Sequence, residues 1–403
     1  MRSAAPAADR RKDVTVTNAS DATRSLFLQT GEPYEYLKDL RENCPVYFDP
    51  LLQGQFITRY KDVYEVMFNA QRFRLQARPG EAYDEHQSKD RVVTFRKVLN
   101  FKAITPFLDT IIQPELDRLM DRLVAGNQPG QAELYRDLCD PFPAHVIGLL
   151  FGMEHEDLPD LVRYRNARAA FFNAPSDDFS ALEESQKWQA KVDERMREVI
   201  ADQRRAPREN LLQFLMTVEE EGKPISDEDL IQITVRDILM AGSETATRSI
   251  ANAAYRMLTL PGVYGRLLSD RALIPDFLEE SLRYDPPVHI FWRAANQDDE
   301  ISGCPISKDA QLYTSIASAN RDPEAFEDPD TFDIARAGGK HVTFSVGPHL
   351  CPGAWVGRNE LKLAVTALLD RLPNLRLDSD AEPPQLTEVI LRNWAPLHVR
   401  YDA

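Results

Sequence analysis

From residue 343 to residue 361 the chain reads TFSVGPHLCPGAWVGRNEL, a turn-rich loop that leads one cysteine to the start of an apolar helix. Gly347 and Gly353 permit backbone turns that a β-carbon would obstruct, and Pro352 suits the first turn of the helix. Backbone N–H groups at such a helix start can point at the sulfur of Cys351 and stabilise the thiolate. The stretch therefore predicts a cysteine held ready to bind a metal.

The spacing around this cysteine is Phe-x-x-Gly-x-x-x-Cys-x-Gly, with Phe344 seven residues before Cys351. A thiolate presented in this way is what an axial ligand to haem iron needs. The alternative is a buried structural cysteine beside a helix start, which is the usual role of a lone cysteine. Four fixed positions coincide rarely by chance, and two further motifs below support the haem ligand.

At these residues the chain resembles a cytochrome P450, from about residue 33 to the C-terminus and most densely between residues 237 and 361. It departs from the commoner family pattern at Pro352 and Gly357, which leaves the ligand intact. The resemblance implies a mainly α fold with a smaller β part in a single large domain that binds haem b. It also implies the cofactor-binding residues, with Cys351 as the metal ligand: Arg96, Ala241, Arg293, Phe344, His349, Cys351 and Gly353.

A long helix is predicted from the capping box at residues 226–229 to about Leu258. Five small or polar residues, Ala241 to Thr245, interrupt its apolar face, and Gly242 costs about 1 kcal/mol there relative to alanine. The resemblance implies an oxygen-binding notch beside a widened turn. In it the catalytic residue Thr245 hydrogen-bonds oxygen and the catalytic residue Glu244, in place of the commoner aspartate, relays protons. The alternative is close helix packing through Gly242.

Glu280 and Arg283 lie three apart on one predicted helix face. Alone, this pair is a weak signal and usually a solvated ion pair. Followed by Arg293, Asn320 and the segment 332–336, it resembles the family's structural lock behind the haem. We interpret both residues as structural rather than catalytic.

The resemblance also implies partners for the haem propionates. Arg96 and Arg293 are the first two, and His349 is the third. The family often has a histidine where this chain has Val92, so one contact is expected to be missing or supplied elsewhere. The alternative for Arg96 is an ordinary surface arginine.

The substrate residues are predicted to be Asp237, Val288, Val389 and Ala241. At 3.6 residues per turn, Asp237 shares the helix side of Ala241 and Thr245. A buried carboxylate is costly without a partner. Either a protein group satisfies it, with Arg74 or Arg78 of a predicted lid over residues 71–90 as candidates, or it binds a polar group of the substrate.

The whole chain has 403 residues and a formal net charge of −16, which argues against nucleic acid as its main partner. Its four cysteines show no paired spacing, so a cytoplasmic location is expected. No run of 18 apolar residues occurs, and no membrane association is expected. Residues 1–25 read as a disordered polar tail without a signal peptide, and 26–403 as the haem-thiolate monooxygenase domain.

The remaining pattern predicts helices over 107–125, 140–152, 157–173, 179–205, 208–220 and 352–372, with an irregular stretch over 327–342 and short strands over 375–400. The resemblance implies an oxidoreductase that inserts one oxygen atom of O2 into a small organic molecule. Electrons are expected from a ferredoxin or flavodoxin served by an NAD(P)H-dependent reductase. Alternatives are a peroxide-using, desaturating or oxidative-coupling enzyme, and a non-catalytic haem-binding sensor.

The cysteine assignment makes a direct prediction. The reduced protein should bind carbon monoxide with the strongly red-shifted absorbance of thiolate ligation, and Cys351→His should lose that shift. Cys139→Ser is the matched control, because Cys139 lies outside the loop. An unshifted, histidine-like spectrum of the unmodified protein would contradict the assignment.

Overall fold

The structure is a computed structural model that describes residues 25–26, 31–75, 89–126, 128–173, 180–336 and 340–402. Nearly all of the tail predicted over residues 1–25 and much of the predicted lid, with Arg78, lie outside these ranges. In the described part, 56% of the chain is helical and 14% is strand, in a single domain. The predicted fold class is confirmed.

The α-helices are α1 (Tyr34–Asn43), α2 (Tyr60–Phe68), α3 (Lys89–Val98), α4 (Phe101–Ile104), α5 (Gln113–Gly126), α6 (Pro141–Leu150), α7 (Leu158–Asn173), α8 (Ser180–Arg205), α9 (Leu211–Leu215), α10 (Asp227–Ile231), α11 (Met240–Thr259), α12 (Val263–Ser269), α13 (Ile274–Tyr284), α14 (Ile316–Ala319) and α15 (Ala354–Arg371). Three segments have the wider π-helical turn: Leu108–Ile112, Tyr135–Cys139 and Gln232–Leu239. Short 3₁₀ turns cover Thr105–Phe107, Arg271–Leu273 and Gly347–His349.

The strands are β1 (Val46–Asp49), β2 (Gly54–Ile57), β3 (Phe73–Leu75), β4 (Gln131–Glu133), β5 (Glu219–Glu220), β6 (Lys223–Pro224), β7 (Ile290–Ala295), β8 (Asp299–Ile301), β9 (Cys304–Ile306), β10 (Gln311–Ser315), β11 (Arg376–Leu377), β12 (Gln385–Thr387), β13 (Asn393–Ala395) and β14 (His398–Arg400). The largest sheet has the order β1-β2-β10-β7-β3. Strand β10 runs parallel to β2, and Tyr313 lies opposite Phe56 on one side and Trp292 on the other.

Helix α11 lies at the centre of the fold, where it packs against α6, α7, α13 and α15. Most of its side chains are buried, and several, among them Ile250 and Met257, belong to the largest apolar cluster. A helix that is buried on nearly all sides needs small and apolar residues, and α11 is accordingly rich in alanine. Its packing against α15 brings α11 next to the helix that follows the cysteine loop.

One predicted helix is much shorter than expected. Residues 208–220 were predicted to be helical, but α9 ends at Leu215, and a hairpin of β5 and β6 follows. Asn210 starts α9, where its side chain accepts a hydrogen bond from the backbone of Gln213. Glu221 and Gly222 have φ angles of 51° and 72°, so a left-handed turn there reverses the chain.

The predicted pair of Glu280 and Arg283 forms a bidentate ion pair in the interior. Both N···O distances are 2.7 Å, and the side chains are 3% and 1% exposed. Glu280 Oε1 also accepts from the backbone of Asp333 and from Arg336, and Arg283 donates to the carbonyl oxygens of Asn320, Pro329 and Thr331. The pair therefore anchors the segment that leads to the cysteine loop.

Loss of one partner should be costly, because it leaves a buried charge uncompensated. We expect Glu280→Gln to lower the free energy of unfolding by roughly 3–5 kcal/mol. The matched control is Asp202→Asn, which removes the acid of a solvated i,i+3 pair with Arg205. This substitution should change the free energy of unfolding by less than about 1 kcal/mol. Denaturant unfolding of both variants measures this, and equal small effects would contradict the structural role.

Candidate active site

Cys351 lies between the 3₁₀ turn Gly347–His349 and helix α15. Its backbone N–H donates to the carbonyl oxygen of Phe344 at 2.8 Å, which closes the loop. The backbone N–H groups of Gly353 and Ala354 donate to the thiol sulfur. The N–H groups predicted from the sequence are thus in place at the helix start.

Burial nevertheless raises the pKa of the Cys351 thiol above its usual value. The two backbone N–H groups and the positive charge of Arg358 act in the opposite direction, but they do not offset the loss of water. The effect of burial thus opposes the stabilisation of the thiolate that was expected from the N–H groups. A thiol in this setting needs a further positive charge to ionise, and a bound metal cation supplies one.

The two glycines of the loop differ in whether the backbone requires a glycine at that position. Gly347 has a φ of 64°, and a β-carbon there would come within 2.8 Å of the Phe68 ring, so glycine is required. Gly353 has a φ of −86°, and a β-carbon would make only an ordinary 3.9 Å contact with the Cys351 sulfur. The predicted backbone requirement at Gly353 is therefore wrong. Pro352 precedes α15 and is not part of its first turn.

Phe344 and Arg358 support the loop from one side. The Arg358 guanidinium lies over the Phe344 ring at 4.2 Å from its centroid and forms two hydrogen bonds to Glu279, at 2.5 Å and 2.8 Å. These contacts, together with a hydrogen bond from His341, lower the pKa of Glu279 to about 2 against the effect of burial. Arg358 thus has a carboxylate partner within the protein.

Arg96, Arg293 and His349 converge beside the cysteine loop. Burial first, and then the charges of Arg293 and Arg96, lower the pKa of His349 to about 4, so the imidazole is neutral at pH 7. Arg96 donates to the carbonyl oxygen of Pro348 at 3.0 Å, and Arg293 is only 3% exposed. Two guanidinium groups and an imidazole N–H fit a ligand with carboxylates, and haem carries two propionates. The cysteine and this basic cluster together fit a haem.

Helix α11 has an open face although most of its length is buried. Ala241 is exposed and Thr245 is partly exposed, whereas their neighbours Ser243 and Glu244 are buried. The Thr245 hydroxyl donates to the carbonyl oxygen of Ala241 at 2.7 Å. A small residue and a hydroxyl that share one open face leave room for a cofactor and for a small molecule above it.

The widened turn does not lie where it was expected. Residues Ala241–Thr245 are α-helical, and the π-helical segment Gln232–Leu239 precedes them. Such segments are frequent at functional sites. Within the α-helical part, the hydroxyl groups of Ser243 and Thr245 donate to the backbone carbonyl oxygens four residues earlier.

Although Glu244 is next to Thr245 in sequence, its carboxylate contacts two arginine side chains. Arg248 donates to Glu244 Oε1 at 2.7 Å, and Arg165 Nε lies 3.2 Å from Glu244 Oε2. All three side chains are nearly fully buried. The spacing of four residues could have revealed Arg248, whereas nothing in the sequence connects Arg165 to this helix.

Asp237 has protein partners among the described residues, and of the two arginines considered from the sequence, Arg78 lies outside those residues. Gln232 donates to its Oδ1 at 2.9 Å, and Arg91 lies 3.8 Å from its Oδ2. Arg74 bonds to Ala295, Asn296 and Asp309 instead. Asp237 belongs to the π-helical segment, whose hydrogen bonds step five residues, so a rotation of 3.6 residues per turn does not apply along that segment. A substrate role of Asp237 stays a prediction.

The two valines predicted to line the substrate pocket lie near the terminal strands. Val288 is buried and forms a β-bridge to Leu391, and Val389 packs against the apolar cluster that includes Ile290 and Ile390.

None of the helices in the described residues is both long and apolar enough to cross a membrane.

Comparisons with known proteins identify the family of this chain. The sequence profile of the cytochrome P450 family matches residues 61–397. Pulcherriminic acid synthase of Bacillus subtilis is 30% identical over 87% of this chain and 90% of its own. The steroid C26-monooxygenase of Mycolicibacterium smegmatis is 28% identical over 90% of this chain and 91% of its own.

Solved structures show the same fold. The versatile cytochrome P450 enzyme CYP109B1 of Bacillus subtilis superposes with a TM-score of 0.79 at 27% identity, over 92% of this chain and 100% of that one. The complex of P450BioI with an acyl carrier protein ligated to hexadec-9Z-enoic acid superposes with a TM-score of 0.78 at 26% identity, over 92% and 99%. With the profile match over most of its length and a cysteine loop built for a haem, this chain belongs to the cytochrome P450 family and is an oxidoreductase.

Proposed function

We propose that this protein is a haem b monooxygenase that inserts one oxygen atom of O2 into a small organic molecule. The observation that carries the proposal is the pairing of the Cys351 loop with the basic cluster of Arg96, Arg293 and His349. When bound, the haem supplies the iron centre for oxygen activation and electron uptake. The chain's own residues then bind the cofactor, shape the space above it and move protons.

Cys351 is the group that binds the metal, and the loop holds its sulfur in place. The N–H groups of Gly353 and Ala354 remain aimed at the sulfur after ionisation, where they draw charge from it. The close contact between Gly347 and Phe68 holds the loop in position. Arg96, Arg293 and His349 would hold the propionates.

Thr245 is the residue that would act on oxygen. Its hydroxyl lies on the open face of α11 and donates to the Ala241 carbonyl oxygen, so its own oxygen can accept a hydrogen bond from a molecule in the cleft. By rotating, the same hydroxyl can instead donate to that molecule. Glu244 would act as the acid behind Thr245, and its oxygens lie within the arginine pair.

The retention of both Glu244 and Thr245 favours O2 as the oxidant, because peroxide users can dispense with this pair. Desaturation and oxidative coupling use the same site, and one relative is named as a synthase. A haem sensor without catalysis remains the alternative of another class. Measured turnover of an organic molecule with O2 and reductant separates it from the enzymes.

The substrate is proposed to be a largely apolar small molecule. Relatives at 26–28% identity are named for a steroid or hold a fatty acyl chain. Ala241 leaves apolar space on the open face of α11, which suits such ligands. Spectral shifts of the purified holoprotein against a library of steroids, fatty acids, terpenes, aromatics and peptides would identify a working substrate.

Thr245→Ala tests the oxygen site with the ligand that gives the largest shift in that library. We expect consumption of reductant to continue while the yield of product per electron falls at least about tenfold, since proton-transfer groups contribute roughly 10²–10⁴-fold. Hydrogen peroxide should rise in the same assay. Thr259→Ala is the control, because Thr259 makes the same bond four residues back at the exposed end of α11. An unchanged yield in Thr245→Ala would contradict the role.

The electron donor is proposed to be an acidic ferredoxin or flavodoxin, served by an NAD(P)H-dependent reductase, that docks near the cysteine loop. Exposed lysines lie on α3, α4 and α15 and before the loop: Lys97, Lys102, Lys362 and Lys340. Arg358 on α15 is held by Glu279 and contributes less charge. The exposed apolar residues Phe101 and Leu350 lie on the same segments.

This docking predicts that electron transfer slows as salt rises, because at 0.1 M ionic strength charges are screened beyond about 10 Å. Lys97→Glu and Lys340→Glu should each slow reduction at low salt, and the difference should shrink at high salt. Lys223→Glu, on the strand β6, is the control. The measurement is the rate of reduction by a ferredoxin in a stopped-flow instrument. Rates that depend neither on salt nor on these substitutions would contradict the proposed docking site.

A further inference from the structure

Three carboxylates and two guanidinium groups form one ionic cluster behind the open face of α11. Glu244 lies at its centre, between Arg165 and Arg248. Each arginine has a second carboxylate, which is Asp140 for Arg165 and Glu388 for Arg248. Both guanidinium groups are nearly fully buried. Within these five groups, one negative charge remains in excess.

Glu388 and Glu244 bind the same nitrogen atom. Arg248 Nη2 lies 2.5 Å from Glu388 Oε2 and also contacts Glu244 Oε1. The two carboxylate oxygens are therefore no more than two hydrogen-bond lengths apart, a gap that one water can bridge. Glu244 Oε2 receives no hydrogen bond within the described residues, although it is ion-paired with Arg165.

Glu388 connects this pair to solvent. Its side chain is 33% exposed and lines a cavity of about 250 Å³ together with Arg248, Asp140, Asn166 and Arg136. The Arg136 side chain is 66% exposed, so the cavity opens to the surface. A polar cavity of this size holds several waters.

The backbone at Glu388 holds it in this place. Its φ is 58°, in the left-handed region that side chains other than those of asparagine and aspartate rarely adopt. The residue follows β12, whose Thr387 hydroxyl bonds to Asn393, and Arg248 bonds to the same Asn393 side chain.

We propose that Glu388 is the proton-entry residue of this enzyme, which takes protons from solvent in the cavity and passes them through water to Glu244. The proposal rests on the proposed oxygen chemistry at Thr245 and names where its protons enter. The transfer moves one proton and no electrons. The O–H bond of Glu388 breaks as one forms on the bridging water, that water releases a proton to Glu244, and Glu388 regains its proton from the cavity.

The charges around Glu388 support a stored proton. Burial raises its pKa, the neighbouring Glu244 raises it further, and Arg248 lowers it in part. Six titratable or charged groups surround Glu388 or complete its ionic cluster. They are Glu244 and Arg248 of α11, Arg165 of α7, Tyr135 and Arg136 of the π-helical segment Tyr135–Cys139, and Asp140, which follows that segment. Because the pKa is raised, the proton is present at lower pH and is lost as the pH rises through that value, so proton supply should fall with rising pH.

Infrared difference titration of the holoprotein tests whether Glu388 carries that proton. Protonated carboxylic acids that titrate above the ordinary glutamate value of about 4.3 should give a carbonyl stretch, and Glu388→Gln should remove one component of it. Another component should persist, because burial raises the pKa of Glu360 to about 8. Glu382→Gln is the control, since Glu382 is exposed on the same terminal segment. A spectrum that Glu388→Gln leaves unchanged overturns the proposal.

The second measurement is oxygen consumption by the holoprotein with NADPH, a ferredoxin and its reductase, in H2O and in D2O, without added substrate. We expect Glu388→Gln to slow consumption about threefold to tenfold, less than the roughly 10²–10⁴-fold of a group in direct contact. Its solvent isotope effect should rise and its pH dependence should flatten. Glu388→Asp should restore part of the rate, because it retains an acid.

The two proposals fail separately. If Thr245→Ala leaves the yield per electron unchanged, the proposed role of Thr245 is wrong, whereas the infrared band and the isotope effect of Glu388→Gln still report on proton entry. If Thr245→Ala uncouples the reaction and Glu388→Gln changes neither rate nor isotope effect, the proton-entry role is wrong and the proposed function stands.

Discussion

The buried ion pair between Glu280 and Arg283 is the interaction on which the cysteine site depends. Two opposite charges out of water are tolerated only when their remaining hydrogen-bonding groups find partners. Here the partners are backbone groups of the segment 320–336, so the pair determines the path of a stretch that contains no strand and no long helix. Asn320 then bonds to Val342 and Thr343, which start the loop. A charge pair with no chemical role thereby positions the cysteine.

A second set of buried charges organises the other side of the site. Glu244 would be costly to bury alone, and Arg165 and Arg248 compensate it. Arg165 belongs to α7 and Arg248 reaches the terminal strands through Asn393 and Glu388, so the same contacts join two distant parts of the chain to α11. They also hold the acid among arginines, whereas the Thr245 hydroxyl lies on the open face next to Ala241. Acid and alcohol are neighbours in sequence but face different surroundings.

The local patterns in the sequence were sufficient for much of the fold. The helix start at Ser226 and the i,i+3 pair of Glu280 and Arg283 are short-range features, and each forms as its residues indicate. The failures have particular causes. The helix expected over 208–220 ends at Leu215 because its last residues form the hairpin of β5 and β6 instead, and the π-helical turns over Gln232–Leu239 were not expected at that place.

By itself, the sequence determined that Cys351 is presented at a helix start and that Gly347, Phe344 and the pair Glu280–Arg283 accompany it, because turn conformation and helix spacing are local properties. Only the tertiary structure decided which charges meet. Arg165 and Glu244 are 79 positions apart by their residue numbers, and Glu388 joins them from near the C-terminus. Contacts of this kind depend on how helices pack around a shared core, and no spacing along the chain records them. The balance at Cys351, where burial outweighs the N–H groups that the sequence revealed, was likewise decided by packing.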